Sequence, residues 1–192
     1  MPLRRYAMLA AAFLLLALSP SAGQALSDQF TLHLGEAGSL AMTLPPGWAG
    51  EVASPDGAMP PTVAIRQEGS ERFVLLVTPV WAGPEAPPDF GTPGSLRRIV
   101  ESSAAEIAPG AVEDKLTIEP VGGGKSGFMF SATDSSLVGR TPPPGEYLYL
   151  TQGALMVGKL LCTFTILTNE RPSPDSEQAL EMLRNAAHRI GA

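Results

Sequence analysis

The sequence predicts an α+β domain: a mainly antiparallel sheet with two principal amphipathic helices packed on it. Three observations carry that expectation. Residues 146–168 hold two long stretches rich in aromatic and β-branched residues, free of proline, with a glycine between them. Apolar residues recur at helical spacing in two places, Leu96, Ile99, Val100, Ala104 and Ile107, then Leu180, Leu183, Ala187 and Ile190. The other apolar runs are short, alternate with polar residues, and are separated by glycine and proline. Strands, a helix, more strands and a closing helix fit one sheet whose apolar surface is covered by helices.

Taken in order, the chain begins with an address. Arg4 and Arg5 precede thirteen uninterrupted apolar residues, 6–18, and Gly23-Gln24-Ala25 is a small-x-small cleavage site. This is the three-part pattern of a secretory signal peptide over residues 1–25. Thirteen apolar residues are too few for a bilayer-spanning helix, which needs about 20. The arginine pair also admits twin-arginine export, with the general secretory route favoured by the residues that follow. Residues 26–192 then form a single domain of 167 residues, long enough for a core of its own.

Phe30, Leu32 and Leu34 alternate with Thr31 and His33, and Leu40, Met42 and Leu44 repeat the pattern after a glycine-containing turn, so a hairpin is expected. Pro45-Pro46-Gly47 ends it, and Trp48 is expected to pack at a strand end. Residues 52–61 read as a loop, 62–67 and 72–80 as strands, and 68–71 as the turn between them. Phe73 to Val77 is apolar on both faces, as a central strand requires. Residues 82–94 carry four prolines and read as irregular, with Ser95 as the cap of the first helix and Pro109-Gly110 as its stop. Residues 115–119 and 128–132 suggest a second hairpin, and residues 133–145 an irregular segment ending in Pro142-Pro143-Pro144-Gly145. Val157-Gly158 supplies a tight turn in the long pair, where Cys162, Phe164 and Ile166 share one face and Thr163 and Thr165 the other. A bulge near Gly153 is left open. Ser173 caps and Pro174 opens the last helix, whose apolar stripe ends at Gly191.

Charge narrows the function. The formal net charge is −6, and removing the leader with its two arginines makes it −8. Nucleic acid and anionic lipid both need clustered Lys and Arg, and no such cluster follows Arg5. Cys162 is the only cysteine, so an intramolecular disulfide is impossible, and its apolar setting reads as a buried inert thiol.

Chemical motifs are sparse. Gly122-Gly123-Gly124-Lys125-Ser126 ends like a phosphate-binding loop, but the motif's earlier glycine falls on Glu119 and a strand follows, so a hairpin loop is expected. His33 and His188 lack neighbours at metal-ligand spacing; the second is placed near the end of the last helix. No metal or cofactor site is predicted. No serine sits in a Gly-x-Ser-x-Gly elbow. The candidate recognition surface is Asp134, Glu146, Tyr147, Tyr149 and Gln152, with Thr133, Arg140 and Thr151 beside them, because polar and aromatic groups concentrate there around a proline-rich loop.

Leu44-Pro45-Pro46-Gly47-Trp48, Gly127 to Asp134, Pro144-Gly145-Glu146-Tyr147, Thr151-Gln152-Gly153, the Phe164 to Leu167 strand and the Ala179 to Ala186 helix together resemble a group of uncharacterised exported bacterial proteins. That group is similar to the PsbP/Mog-like fold, which implies an α/β/α sandwich around a central antiparallel sheet. The broad fold includes a photosystem accessory subunit and a nuclear-transport GTPase partner, so the resemblance implies binding rather than catalysis. The resulting expectation is an exported, non-enzymatic binding or accessory protein, periplasmic or secreted, whose partner is another envelope protein. The alternatives are a hydrolase using Asp134 and Glu146, and a binder of a small apolar ligand between sheet and helix.

Overall fold

The computed structural model describes residues 29–53 and 60–190. The expected leader over residues 1–25, its expected cleavage site and most of the expected loop over 52–61 lie outside the described residues.

The long pair is the spine. Strands β8 (Tyr149–Val157) and β9 (Leu160–Thr168) run antiparallel in unbroken register, from Tyr149 opposite Thr168 to Val157 opposite Leu160. The turn is Gly158-Lys159 rather than Val157-Gly158. Only Gly158 has positive φ, +60°, as a two-residue loop with glycine first requires. No bulge interrupts the ladder at Gly153. That glycine is needed for space, since a Cβ there would stand 2.5 Å from the Phe128 carbonyl oxygen and 2.6 Å from the Phe164 ring.

Around the spine the large sheet adds β3 (Trp48–Ala53), β4 (Thr62–Gln67), β5 (Phe73–Val80), β6 (Glu119–Pro120) and β7 (Gly127–Thr133). Its order is β3-β4-β5-β9-β8-β7-β6, with every pairing antiparallel. Alternation sends residues to two cores. On one face Cys162, Phe164 and Ile166 join Ile65, Phe73, Leu75 and Leu155; on the other Leu150, Ala154, Leu161 and Leu167 join Val74 and Phe130. Each large apolar side chain so buried is worth roughly 1.5–3 kcal/mol against exposure.

Helix α1 (Pro93–Ile107) covers the second face with Leu96, Val100, Ala104 and Ile107, while Ile99 is 37% exposed and falls outside the stripe. Its cap is Thr92, whose hydroxyl accepts from the Ser95 N–H, rather than Ser95 itself. Pro93 is therefore helical: at the first position its fixed φ fits and its missing N–H has no partner to lose. Helix α2 (Pro174–Asn185) covers the first face with Ala179, Leu180, Met182 and Leu183, capped by Ser173 as expected. Helices on opposite faces make the layers α/β/α.

A separate small sheet orders as β1-β2-β10, with β1 (Gln29–His33) and β2 (Ser39–Thr43) forming the expected hairpin. Strand β10 (Ala187–Arg189) corrects the expected last turns of the closing helix. Ala186 turns extended, φ −59° and ψ 144°, and its carbonyl accepts from the Lys125 ammonium at 3.1 Å. The three residues after it gain ladder bonds to β2. Two other expectations shift. Trp48 packs at 4.8 Å on Phe73 as predicted, yet it also opens β3. The 115–119 strand shrinks to β6, because Leu116 turns into the core beneath α1.

Candidate functional site

Where β9 ends and β5 and β8 begin, three segments frame an open groove of about 450 Å³: residues 69–72, residues 141–144, and Asn169 with Glu170. Sequence explains the frame locally. The Glu146 N–H donates to the Pro143 carbonyl at 3.0 Å and Gly145 has φ +77°. Pro144 then Gly145 is the central pair that a type II turn demands. Asn169 locks that turn to the strand: its Oδ1 accepts from the Leu148 N–H at 2.7 Å and its Nδ2 donates to the Glu146 carbonyl at 3.1 Å. Its own N–H donates to the Arg72 carbonyl at 3.1 Å. Across the mouth, Arg72 Nη1 donates to Glu170 Oε1 at 3.2 Å.

The predicted residues distribute around this end rather than converging. Glu146 belongs to the turn beside the groove and is half-buried. Tyr149 stands on the α2 face, with the Arg171 guanidinium 5.8 Å over its ring, a cation–π geometry. Tyr147 is only 8% exposed and packs in the core beneath α1. Burial pushes its phenol up from the usual range, with a hydrogen bond and charge from Arg66 pulling the other way. Gln152 lies on the same face as Leu150 and Ala154, its Oε1 buried without a partner, and Arg66 Nη2 is in the same condition. Asp134 is buried at 7% and uses Oδ1 to accept from the Ser136 N–H at 2.8 Å, so its carboxylate shapes a turn. Neither Asp134 nor Glu146 lines the groove.

Two side chains not singled out from sequence complete the region. Glu113 accepts from the Thr133 N–H at 2.8 Å and from the Thr133 hydroxyl at 2.7 Å, and lies 3.8 Å from Arg171. Burial raises its carboxyl pKa, but those hydrogen bonds and the Arg171 charge outweigh it and leave the group below the usual range. Asn169 is the other. Nothing local marks either one, because their partners are twenty or more residues away.

Elsewhere, Gly122, Gly123 and Gly124 all have positive φ in a loop leading into β7, and Lys125 is engaged with the Ala186 carbonyl. His188 lies in β10 and not on the helix. Cys162 is fully buried, and burial pushes its thiol up to about 12. Among the described residues no three His, Cys, Asp or Glu side chains group as a metal would require, and no helix is long and apolar enough to cross a membrane.

No family model matches the chain, and no curated protein matches it significantly. Among solved structures it is similar to cyanobacterial PsbP (CyanoP) from Synechocystis sp. PCC 6803, at 14% identity and TM-score 0.49 over 90% of this chain and 99% of that one. It is also similar to a protein of Bacteroides thetaiotaomicron VPI-5482, at 11% identity and TM-score 0.49 over 84% of this chain. The match spans about half, 49%, of that protein's length.

Proposed function

We propose that this chain is an exported, non-enzymatic binding or accessory protein of the bacterial cell envelope, and that it recognises another envelope protein through the groove end of its large sheet. One observation carries the reading. The groove's backbone is fixed by Asn169 and the Gly145 turn, while the Arg72 and Glu170 side chains that cross its mouth are 77% and 53% exposed. A rigid frame with adjustable charged side chains suits docking of a protein segment, where preorganisation lowers the ordering cost. Export is supported by the leader pattern, and Glu146 and Tyr149 border the same end.

The mature chain is used as bait in native envelope extracts, alongside Ser70→Trp and Thr141→Trp, which fill the groove without touching either core. A reproducible partner that the tryptophan variants fail to retain is the expected result. A partner retained equally by both variants, or none at all, removes the proposal.

A further inference from the structure

The chemistry of the partner follows from the 138–144 loop, and this step rests on the recognition reading above. Residues 138–144 read Val-Gly-Arg-Thr-Pro-Pro-Pro. Each proline has φ fixed near −65° and biases the residue before it toward extended ψ, so Thr141 to Pro144 is held in polyproline geometry before any partner arrives. Both ends are pinned. Leu137 is 6% exposed and its carbonyl accepts from the Arg140 N–H at 3.1 Å, while the Gly145 turn closes the other end.

What the pinned segment displays is specific. Pro143 and Pro144 are exposed, as are Val138, at 54%, and Arg140. Proline rings give apolar surface with no N–H to satisfy, and the carbonyls of Thr141 and Pro142 remain acceptors. Among the described residues no carboxylate lies within ion-pair range of Arg140. The complement of such a segment is a set of aromatic side chains, with indole N–H or phenol O–H donors for the carbonyls and an acidic rim for the cation.

We propose that this loop is itself the ligand: a preformed polyproline segment that inserts between aromatic side chains of the partner, with Arg140 facing an acidic edge. The loop forms one wall of the groove, so an aromatic side chain seated there packs on the proline rings from inside.

The test uses the mature chain, isotopically labelled, titrated with the peptide N-acetyl-Trp-Asp-Trp-amide and with its Leu-Asp-Leu counterpart. Expected are upfield ring-current shifts on the ring protons of Pro143 and Pro144, amide shifts confined to residues 138–146, and binding at least about tenfold weaker for the leucine peptide. The double variant Pro143→Ala, Pro144→Ala abolishes the shifts, and Arg140→Glu weakens binding about tenfold while leaving the rest of the spectrum in place. Shifts spread over other faces, equal binding by the leucine peptide, or undiminished binding by the proline variant each overturn the inference. The two readings separate in the envelope capture: a partner lost with Ser70→Trp but kept by the proline variant leaves recognition standing and removes the proline segment as ligand.

Discussion

The two ends of the β8–β9 hairpin are built in opposite ways. At the turn, Lys159 donates its N–H to His188 Nδ1 at 3.1 Å, and His188 Nε2 donates to the Ala37 carbonyl at 2.6 Å. Because a backbone N–H can only donate, Nδ1 is the accepting nitrogen and Nε2 carries the proton. Gly38 lies against the Arg189 carbonyl, and Gly158 leaves room for the His188 side chain. Three segments far apart in sequence are thus fastened through backbone groups. At the opposite end Asn169 also clamps backbone groups, but the side chains that cross beside it are charged pairs turned largely to water, Arg72 with Glu170 and Arg171 with the half-buried Glu113. Order is built in where the chain closes, and tolerance is left in the charged side chains around the groove.

The sharpest way to break that contrast is one substitution made at each end. Gly38→Ala places a methyl against the Arg189 carbonyl at φ +83°, while Gly69→Ala has φ +74° and nothing within 4 Å. The first combines backbone strain with displacement of β10 and is expected to cost about 3–5 kcal/mol. The second carries only the left-handed cost, about 1–2 kcal/mol. Urea unfolding of both variants, read at constant slope, compares them directly. Equal losses would mean that β10 does not hold the turn end.

Cys162 belongs to the same well-packed side and gives a pH-dependent measure of it. Its thiol is raised from 9.0 to about 12 by burial. Well below pH 9 it is neutral in both states and contributes no slope. As the pH rises from 9 toward 12 the unfolded chain loses this proton first, so the folded state binds more protons and stability falls. At pH 10.5 this amounts to about 2 kcal/mol. Cys162→Ala starts lower, for the lost packing, but its stability declines less steeply between pH 8 and 10.5; parallel declines would contradict a dry core at that position.

Sequence pattern reached the packed strands and a helix start more fully than the contacts that fasten either end of the spine. Thr62 to Gln67 and the Cys162 to Ile166 alternation emerge where a period of two reports one buried face, and Ser173-Pro174 marks a helix start through chemistry confined to adjacent residues. β10 was hidden because Ala187 and Ile190 continue the helical phase of Leu180 and Leu183, and only the edge of β2, about 150 residues away, favours extension. β3 was hidden because its Val52 is 42% exposed on an edge, which breaks the alternation. For the site, period two already separates Tyr149 from Gln152 onto opposite faces of one strand, so those two cannot share a surface. The groove itself had no signal: Arg72 and Glu170 are 98 positions apart, and only the β5–β9 pairing brings them together.

The remaining pair of substitutions tests the smallest difference. His188→Ala removes two neutral hydrogen bonds and leaves the Lys159 N–H and the Ala37 carbonyl without their partner, for a loss of about 1–2 kcal/mol. Faster hydrogen exchange at the Lys159 amide accompanies it. Arg72→Ala removes an ion pair whose charged ends are mostly in water, where Coulomb attraction is screened and side-chain ordering opposes it, so stability changes by less than about 0.5 kcal/mol. The Asn169 clamp does not depend on that charge, since its bonds run to backbone groups of Leu148, Glu146 and Arg72. Unchanged exchange at the Leu148 amide in Arg72→Ala is therefore the expected result. Accelerated exchange there would show that the exposed pair, and not the amide clamp, holds the groove in shape.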